Sequence, residues 1–204
     1  DGDVDVLSAS QNDDTVAWYE NDCGTHAPTG SLAPTESFAP TTIPPTVTRQ
    51  PSSFPTPRPT ARCATVTFSS KRTISDSADQ VYYVYAIDVD GDGDVDVLAA
   101  AFGDDTVAWY ENDGSQSFTE RIITTLADWA YSVYATDVDG DGDVDVLSAS
   151  GKVDTVAWYE NDGSESFTER IITTLADNAC SVFAMDVDGD GDVDVLSASS
   201  YDDT

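Results

Sequence analysis

The chain has 204 residues, of which 39 are acidic and 8 are basic, giving a formal net charge of −31. This charge excludes nucleic acid as a natural partner and disfavours anionic lipid, because both are themselves negatively charged. No run of about 18 apolar residues is present, so the sequence predicts no membrane-spanning segment. A content of 40% hydrophobic and 10% aromatic residues indicates a folded chain and not a disordered acidic tail.

Internal repetition organises the sequence. Residues 88–136 recur as residues 137–185 with 39 of 49 positions identical and no gap. Because the pattern is already under way at the first residue and breaks off at the last, we expect a segment of a longer protein whose signal peptide lies elsewhere. In chain order we expect the N-terminal part of a first repeat (1–23), an insertion (24–65), the C-terminal part of the first repeat (66–87), repeat 2 (88–136), repeat 3 (137–185) and a truncated repeat 4 (186–204).

The insertion differs in composition from the rest of the chain. All nine prolines lie within 28–59, among dense serine and threonine. This composition predicts an extended, solvated segment, either a plain loop or an O-glycosylated stalk. Cys23 and Cys63 flank it and form a candidate disulfide, which in an oxidising compartment would close the loop and contribute about 4 kcal/mol.

Four short runs of β-forming residues occupy each full repeat. One such set lies at Tyr131–Thr136, Val144–Ser150, Thr155–Glu160 and Ser166–Ile172. Turn-forming Gly-Asp-Gly and Asn-Asp-Gly sequences separate the runs, and no helical period persists. Four strands in about 49 residues are typical of one blade of a β-propeller. We therefore predict an all-β fold, an open partial propeller of about three four-stranded blades.

Each repeat also contains the nine-residue sequence Asp-Val-Asp-Gly-Asp-Gly-Asp-Val-Asp, at 88–96, 137–145 and 186–194. Five carboxylates in nine residues repel one another unless a hard cation neutralises them, and Ca²⁺ accepts six to eight oxygen ligands in flexible geometry. An EF-hand is disfavoured, because that loop needs a glutamate at position 12 followed by a helix. Position 12 here is alanine or serine, within a strand-like run. We expect a Ca²⁺ site in a β-hairpin loop; the alternative is a solvated acidic turn.

The sequence DVDGDGDVDVL, followed by TVAWYEND and SFTERII, resembles the FG-GAP/VCBS repeat, the blade of the integrin α-chain head. Because the Phe-Gly signature occurs only as Phe102-Gly103, the VCBS-type group is favoured. The resemblance implies a propeller that is commonly seven-bladed, so this chain should form an open arc, and a Ca²⁺ loop between the first two strands of each blade. The implied ligands are the side chains of Asp88, Asp90, Asp92 and Asp96 with the carbonyl of Asp94, then Asp137, Asp139, Asp141, Asp143 and Asp145, then Asp186, Asp188, Asp190, Asp192 and Asp194, with Asp1, Asp3 and Asp5 left from the first copy.

Tryptophans provide the candidates for ligand contact. One repeat position is tryptophan in three copies, at Trp18, Trp109 and Trp158. These side chains either pack within the blade or stack on a sugar. Trp129 stands where repeat 3 has Asn178, so the shared fold does not require it, and it is a candidate ligand-binding residue.

Catalytic arrangements are not visible, and the single histidine, His26, lies in the insertion. We therefore expect no enzyme activity. The expected function is that of a calcium-binding extracellular or cell-surface module with a binding or adhesion role towards a protein or glycan. The alternatives are a non-catalytic carbohydrate-binding module of a secreted enzyme, or part of a catalytic propeller such as a polysaccharide lyase.

Overall fold

The computed structural model describes residues 5–23 and 66–201, which form fifteen β-strands. Within these residues no helix is long and apolar enough to cross a membrane. The strands form four antiparallel sheets, numbered I to IV along the chain, and one small ladder. Sheet I contains β1 (Val6–Ser10), β2 (Thr15–Tyr19) and β5 (Arg72–Ser75); the ladder pairs β3 (Asn21–Cys23) with β4 (Val66–Phe68); sheet II contains β6 (Val81–Ile87), β7 (Asp96–Ala101), β8 (Thr106–Asn112) and β9 (Phe118–Thr124); sheet III contains β10 (Ala130–Thr136), β11 (Asp145–Ser150), β12 (Thr155–Asn161) and β13 (Phe167–Thr173); sheet IV contains β14 (Ala179–Met185) and β15 (Asp194–Ser199).

Sheets II and III are complete four-stranded blades in which each strand pairs with the next along the chain. The four strand runs predicted between Tyr131 and Ile172 are confirmed as the strands of sheet III, with bounds displaced by one residue at several ends. The all-β, open propeller architecture predicted from the repeats is likewise confirmed. Each blade begins one strand before the aspartate loop, so a blade comprises the last strand of one sequence repeat and the first three of the next.

The core lies between consecutive sheets, because both faces of an inner blade are covered by its neighbours. Leu98 and Trp109 stand opposite each other on β7 and β8, are buried, and pack against Val133 and Val146 of sheet III. Strand alternation sends Val97 and Tyr110 to the other face, against sheet I. A third cluster of the same kind joins sheets III and IV. Such stacking makes each repeat depend on its neighbours for burial.

The first strands of sheets II, III and IV are each irregular near their N-terminal ends. The pairing register shifts between Val81 and Tyr83, and equivalently between Ala130 and Ser132. Tyr82 and Tyr131 are therefore bulge residues, as is Cys180 on β14. A bulge bends the strand and redirects the extra side chain away from the regular ladder.

The candidate disulfide between Cys23 and Cys63 involves a residue outside the described ranges, and the whole of the insertion (24–65) lies outside them too. Asp1 and Asp3 of the first aspartate loop also lie outside. The pairing and the insertion's role therefore stay predictions.

Candidate metal centre

The three complete aspartate loops connect the first and second strands of sheets II, III and IV. Gly91 and Gly93 adopt φ values of +75° and +99°, and the equivalent glycines of the other two loops do the same. Glycine adopts this left-handed backbone conformation at little cost, which allows it at two positions only two residues apart. A Cβ at Gly91 or Gly93 would meet no atom within 4 Å, so the glycines serve the turn and not close packing.

Three carboxylates converge in each loop. Asp88, Asp90 and Asp96 each offer an oxygen, and these oxygens lie within 4.8 Å of one another. The donors are all oxygen, which is the ligand type of hard cations such as Ca²⁺. The same triad recurs in the other loops, as Asp137, Asp139 and Asp145 and as Asp186, Asp188 and Asp194.

Backbone amides hold the first aspartate of the loop in place. The Asp88 carboxylate accepts hydrogen bonds from the N–H groups of Gly91 (2.8 Å) and Gly93 (3.0 Å). Asp137 and Asp186 receive the equivalent bonds in the other loops. The loop therefore wraps around its own first carboxylate, which fixes the direction in which the remaining lone pairs point.

The aspartate at position nine of the loop connects the loop to the sheet through hydrogen bonds. Asp96 is fully buried, and its two carboxylate oxygens accept from the N–H groups of Val89 (3.0 Å) and Asn112 (2.8 Å). Burial raises the pKa of Asp96, opposed by those two hydrogen bonds. The buried indole N–H of Trp109 also opposes the rise in pKa, although it meets no partner at hydrogen-bond geometry.

The ninth aspartate of the loop is buried in some copies and exposed in others. Asp145 repeats both contacts, through Val138 and Asn161, and burial raises its pKa as well. Asp194 is exposed and accepts from the N–H of Val187. Asp5, the one first-copy residue within the described ranges, is exposed and accepts from the N–H of Asn21 at 2.8 Å.

The remaining loop carboxylates stand outside the triads in the part of the chain that the structure describes. Asp92 accepts from the N–H of Asp94 at 2.8 Å, as do Asp141 and Asp190 from their own second neighbours. The Asp94 carboxylate lies against Gly114 in the β8–β9 hairpin, where a Cβ would collide with it. The side chain at position seven thus points away from the triad. Ligation through the Asp94 carbonyl therefore stays a prediction.

An arginine on the outer strand links the blades, and sequence reasoning missed it. The Arg121 guanidinium lies 5.3 Å from the centre of the Trp109 ring and pairs with Glu111 of its own sheet at 2.5 Å. It also reaches Glu165 in the β12–β13 hairpin of the next sheet, at 3.1 Å. Arg72 makes the equivalent contact with Gln116, at 2.7 Å. The recurrence of Arg with Trp in each repeat was the available signal, but its partner lies on the neighbouring blade.

Trp129, the candidate ligand-binding residue, lies at the opposite end of the blade from the aspartate loops, directly before β10. The residue is 40% exposed, and its ring stacks on that of Phe102. Trp109, in contrast, is 1% exposed within the core, which agrees with a packing role for the shared tryptophan position.

Comparison with known proteins places the chain in a family. A family model described as an FG-GAP-like repeat matches residues 88–148 and 137–197, which together exceed half of the chain. No curated protein matches. Among solved structures, the chain is similar to an Agrocybe aegerita lectin described for specific recognition of non-reducing terminal N-acetylglucosamine, with a TM-score of 0.45 and 19% identity. That match covers 64% of this chain but only 38% of the lectin, so the chain spans well under two thirds of the lectin's length. By its two matches to the family model, the chain belongs to the FG-GAP-like repeat family.

Proposed function

We propose that this chain is a calcium-binding β-propeller repeat module that acts in extracellular or cell-surface binding and not in catalysis. The observation that supports the metal is the carboxylate triad, present in each of three loops with the same internal hydrogen bonds. Soft or nitrogen-preferring metals are disfavoured, because the triads contain neither sulfur nor imidazole. Mg²⁺ suits them less than Ca²⁺, because it gives up its waters reluctantly.

Electrostatics favour an occupied loop. Each triad brings three carboxylates together, and burial raises the pKa of Asp90 and Asp96, so their ionised forms are held there against an opposing free energy. A divalent cation offsets this cost. Three such ions would change the formal charge from −31 to −25, a gain of two per ion.

The ion's role in this proposal is structural. It would hold the chain between the first and second strands of a blade and so fix each loop relative to its sheet. Extracellular calcium is millimolar, which is enough to fill even weak sites. The binding partner is proposed to be an extracellular protein or glycan, and nucleic acid is disfavoured by the charge.

A calcium titration tests the proposal. We expect calorimetry of the chelator-treated chain to show about three ions bound, with a rise in melting temperature measured by circular dichroism. Asp137→Asn removes one charge from one triad, so the number of ions bound should fall from three to two. Asp76→Asn is the matched control, because Asp76 is an exposed acid outside the loops. A folded chain that binds no calcium at millimolar concentration, or a melting temperature unchanged by EDTA, would contradict the proposal.

A further inference from the structure

The differences between repeats 2 and 3 are concentrated at one end of the blades. The two repeats differ at ten of 49 positions. Five of these ten lie in the β7–β8 hairpin or at the start of β10, the end of the blade away from the aspartate loops. Binding residues are commonly found on loops that a rigid scaffold positions. The five are, in repeat 2, Phe102, Gly103, Asp104, Trp129 and Tyr131, replaced in repeat 3 by Gly151, Lys152, Val153, Asn178 and Cys180.

Three of these five residues are aromatic, and with Tyr82 they form what we call the aromatic platform: Tyr82, Phe102, Trp129 and Tyr131. Phe102 is central: its ring centroid lies 5.4 Å from Trp129 at an interplanar angle of 22°, 5.2 Å from Tyr131 and 5.0 Å from Tyr82. Tyr82 and Tyr131 meet edge to face at 5.2 Å. The rings touch one another and leave no cage between them, so the platform offers a surface and not a hole.

The backbone at Trp129 is strained for a residue of its size. Its φ is +57°, and Gln80 and Asn178 hold the same conformation at the equivalent positions. Asparagine tolerates left-handed backbone, whereas a bulky residue there is an outlier. The Asp105 carboxylate accepts from the Trp129 N–H at 2.9 Å, and the Trp129 carbonyl accepts from the Gly151 N–H at 3.1 Å. Strain at an exposed aromatic that the fold does not require points to a function for the ring.

The two tyrosines reach the platform because of the bulges. Tyr82 and Tyr131 are the extra residues where β6 and β10 begin, so their rings leave the regular ladder and meet Phe102. Sheet IV has the same bulge at Cys180, with Asn178 and Gly151 in place of the other aromatic residues. The bulge therefore belongs to the fold, whereas the cluster of four rings occurs only at the junction of sheets II and III among the described junctions.

We call three acidic residues the edge of the platform: Asp104 and Asp128 are close to its rings in sequence, and the Asp79 carboxylate lies against Gly103. Asp79 and Asp104 are joined by a hydrogen bond from the Asp79 N–H to the Asp104 carboxylate, at 2.6 Å. Asp128 precedes Trp129 and pairs with Lys152 at 3.1 Å. Carboxylates accept strong hydrogen bonds from hydroxyl groups, and they repel anionic ligands.

We propose that the aromatic platform binds a neutral saccharide. The C–H face of a pyranose ring would lie on the exposed face of Trp129, and its hydroxyls would donate to the carboxylates at the edge. The acidic edge disfavours sulfated and uronic acid sugars, and the closed packing of the rings disfavours a caged ammonium group. This inference rests on the proposed function, since it names the ligand class of that binding module.

Glycan binding by the calcium-loaded chain tests the platform. The probes are the neutral tetrasaccharides of cellulose, chitin, mannan and xylan on an array, followed by calorimetry with the best one. We expect one of them to bind, and Trp129→Asn to weaken it at least about tenfold. This variant should fold, because asparagine is the residue of repeat 3 at this position. Phe102→Gly, also the repeat 3 residue, should weaken binding too.

The matched control is Ile171→Thr, which changes an exposed apolar side chain on the outer strand β13 and should leave binding unchanged. Failure of all four sugars to bind, or equal binding by Trp129→Asn, would overturn the platform. So would binding of a lysine-rich peptide through Trp129 in their place. Melting temperatures with and without calcium on the same samples separate the two proposals. A calcium shift without sugar binding overturns the platform alone, and sugar binding without a calcium shift overturns the calcium proposal alone.

Discussion

Asp96 has two roles in its loop. It belongs to the carboxylate triad, and both of its oxygens accept hydrogen bonds from backbone N–H groups that belong to the loop and to β8. Asp5 stands at the equivalent place in sheet I but is exposed. The same residue type at the same repeat position therefore stabilises the backbone to different degrees, and burial decides by how much.

Replacing Asp96 by asparagine should separate these roles. An amide offers one acceptor oxygen, so the N–H of Val89 or of Asn112 would lose its partner inside the protein. We expect Asp96→Asn to lower the free energy of unfolding by about 1–2 kcal/mol in EDTA, towards the low end for such a loss because the buried charge itself is unfavourable. Asp5→Asn should cost less. Urea unfolding of both variants in EDTA measures the difference, and equal losses would show that burial does not set how much this aspartate stabilises the backbone.

How far the sequence predicts these residues depends on the range of their contacts. The aspartates and glycines of the loop could be predicted, because the turn and the charge density are local. The burial of Asp96 could not be predicted, since it depends on how β7 packs beside β8. There Asp96 meets Asn112, 16 residues away in sequence. The bulge at Tyr131 and the contact of Arg121 with Glu165 were equally inaccessible, because both depend on the pairing of distant segments.

At the scale of strands, the outer strand of one blade forms an ion pair with the hairpin of the next. Arg121 on β9 covers Trp109, pairs with Glu111 and reaches Glu165 across the gap between sheets II and III. The hairpin that holds Glu165 is placed by its own turn, in which Glu165 has a φ of +63°. Local turn chemistry thus positions a contact between blades. The strand order itself was predictable, because alternation and turn residues fix it locally.

A double-mutant cycle between Arg121 and Glu165 should detect this contact. Both side chains are over a third exposed, so we expect a coupling free energy of only about 0.5 kcal/mol. The variants are Arg121→Met, which keeps much of the apolar stem, and Glu165→Ala, which removes the carboxylate; glutamine is unsuitable at 165, because Gln116 accepts a hydrogen bond from Arg72 in the equivalent contact. Arg170→Met is the matched control: within the described residues its ion pair is with Glu160 of its own sheet. Denaturant unfolding of the single and double variants gives the coupling free energy. If the two losses are additive at low salt, the contact does not stabilise the packing of sheet II on sheet III.

At the scale of the whole molecule, stability is shared between neighbouring sheets. The clusters between sheets I and II, II and III, and III and IV draw on many of the same repeat positions, because the repeats are nearly identical. The same side chain is therefore buried or exposed according to its place in the stack. Leu98 and Leu147 are fully buried, whereas their equivalent on β15, Leu196, is 41% exposed. No inspection of the repeat sequence alone separates these three leucines, since the difference comes from what stands next to them.

Truncation of these equivalent leucines should measure the stacking directly. Leu147→Ala leaves a cavity between sheets III and IV and should lower the free energy of unfolding by about 2–5 kcal/mol. Leu196→Ala removes the same atoms from a partly solvated face, so we expect a loss below about 1 kcal/mol. Urea unfolding in saturating calcium, followed by circular dichroism, compares the two without altering any triad carboxylate. Similar losses would mean that the sheets fold as independent units. A large loss for Leu147→Ala alone would mean that burial between blades, and not the sequence of the repeat, sets where stability resides.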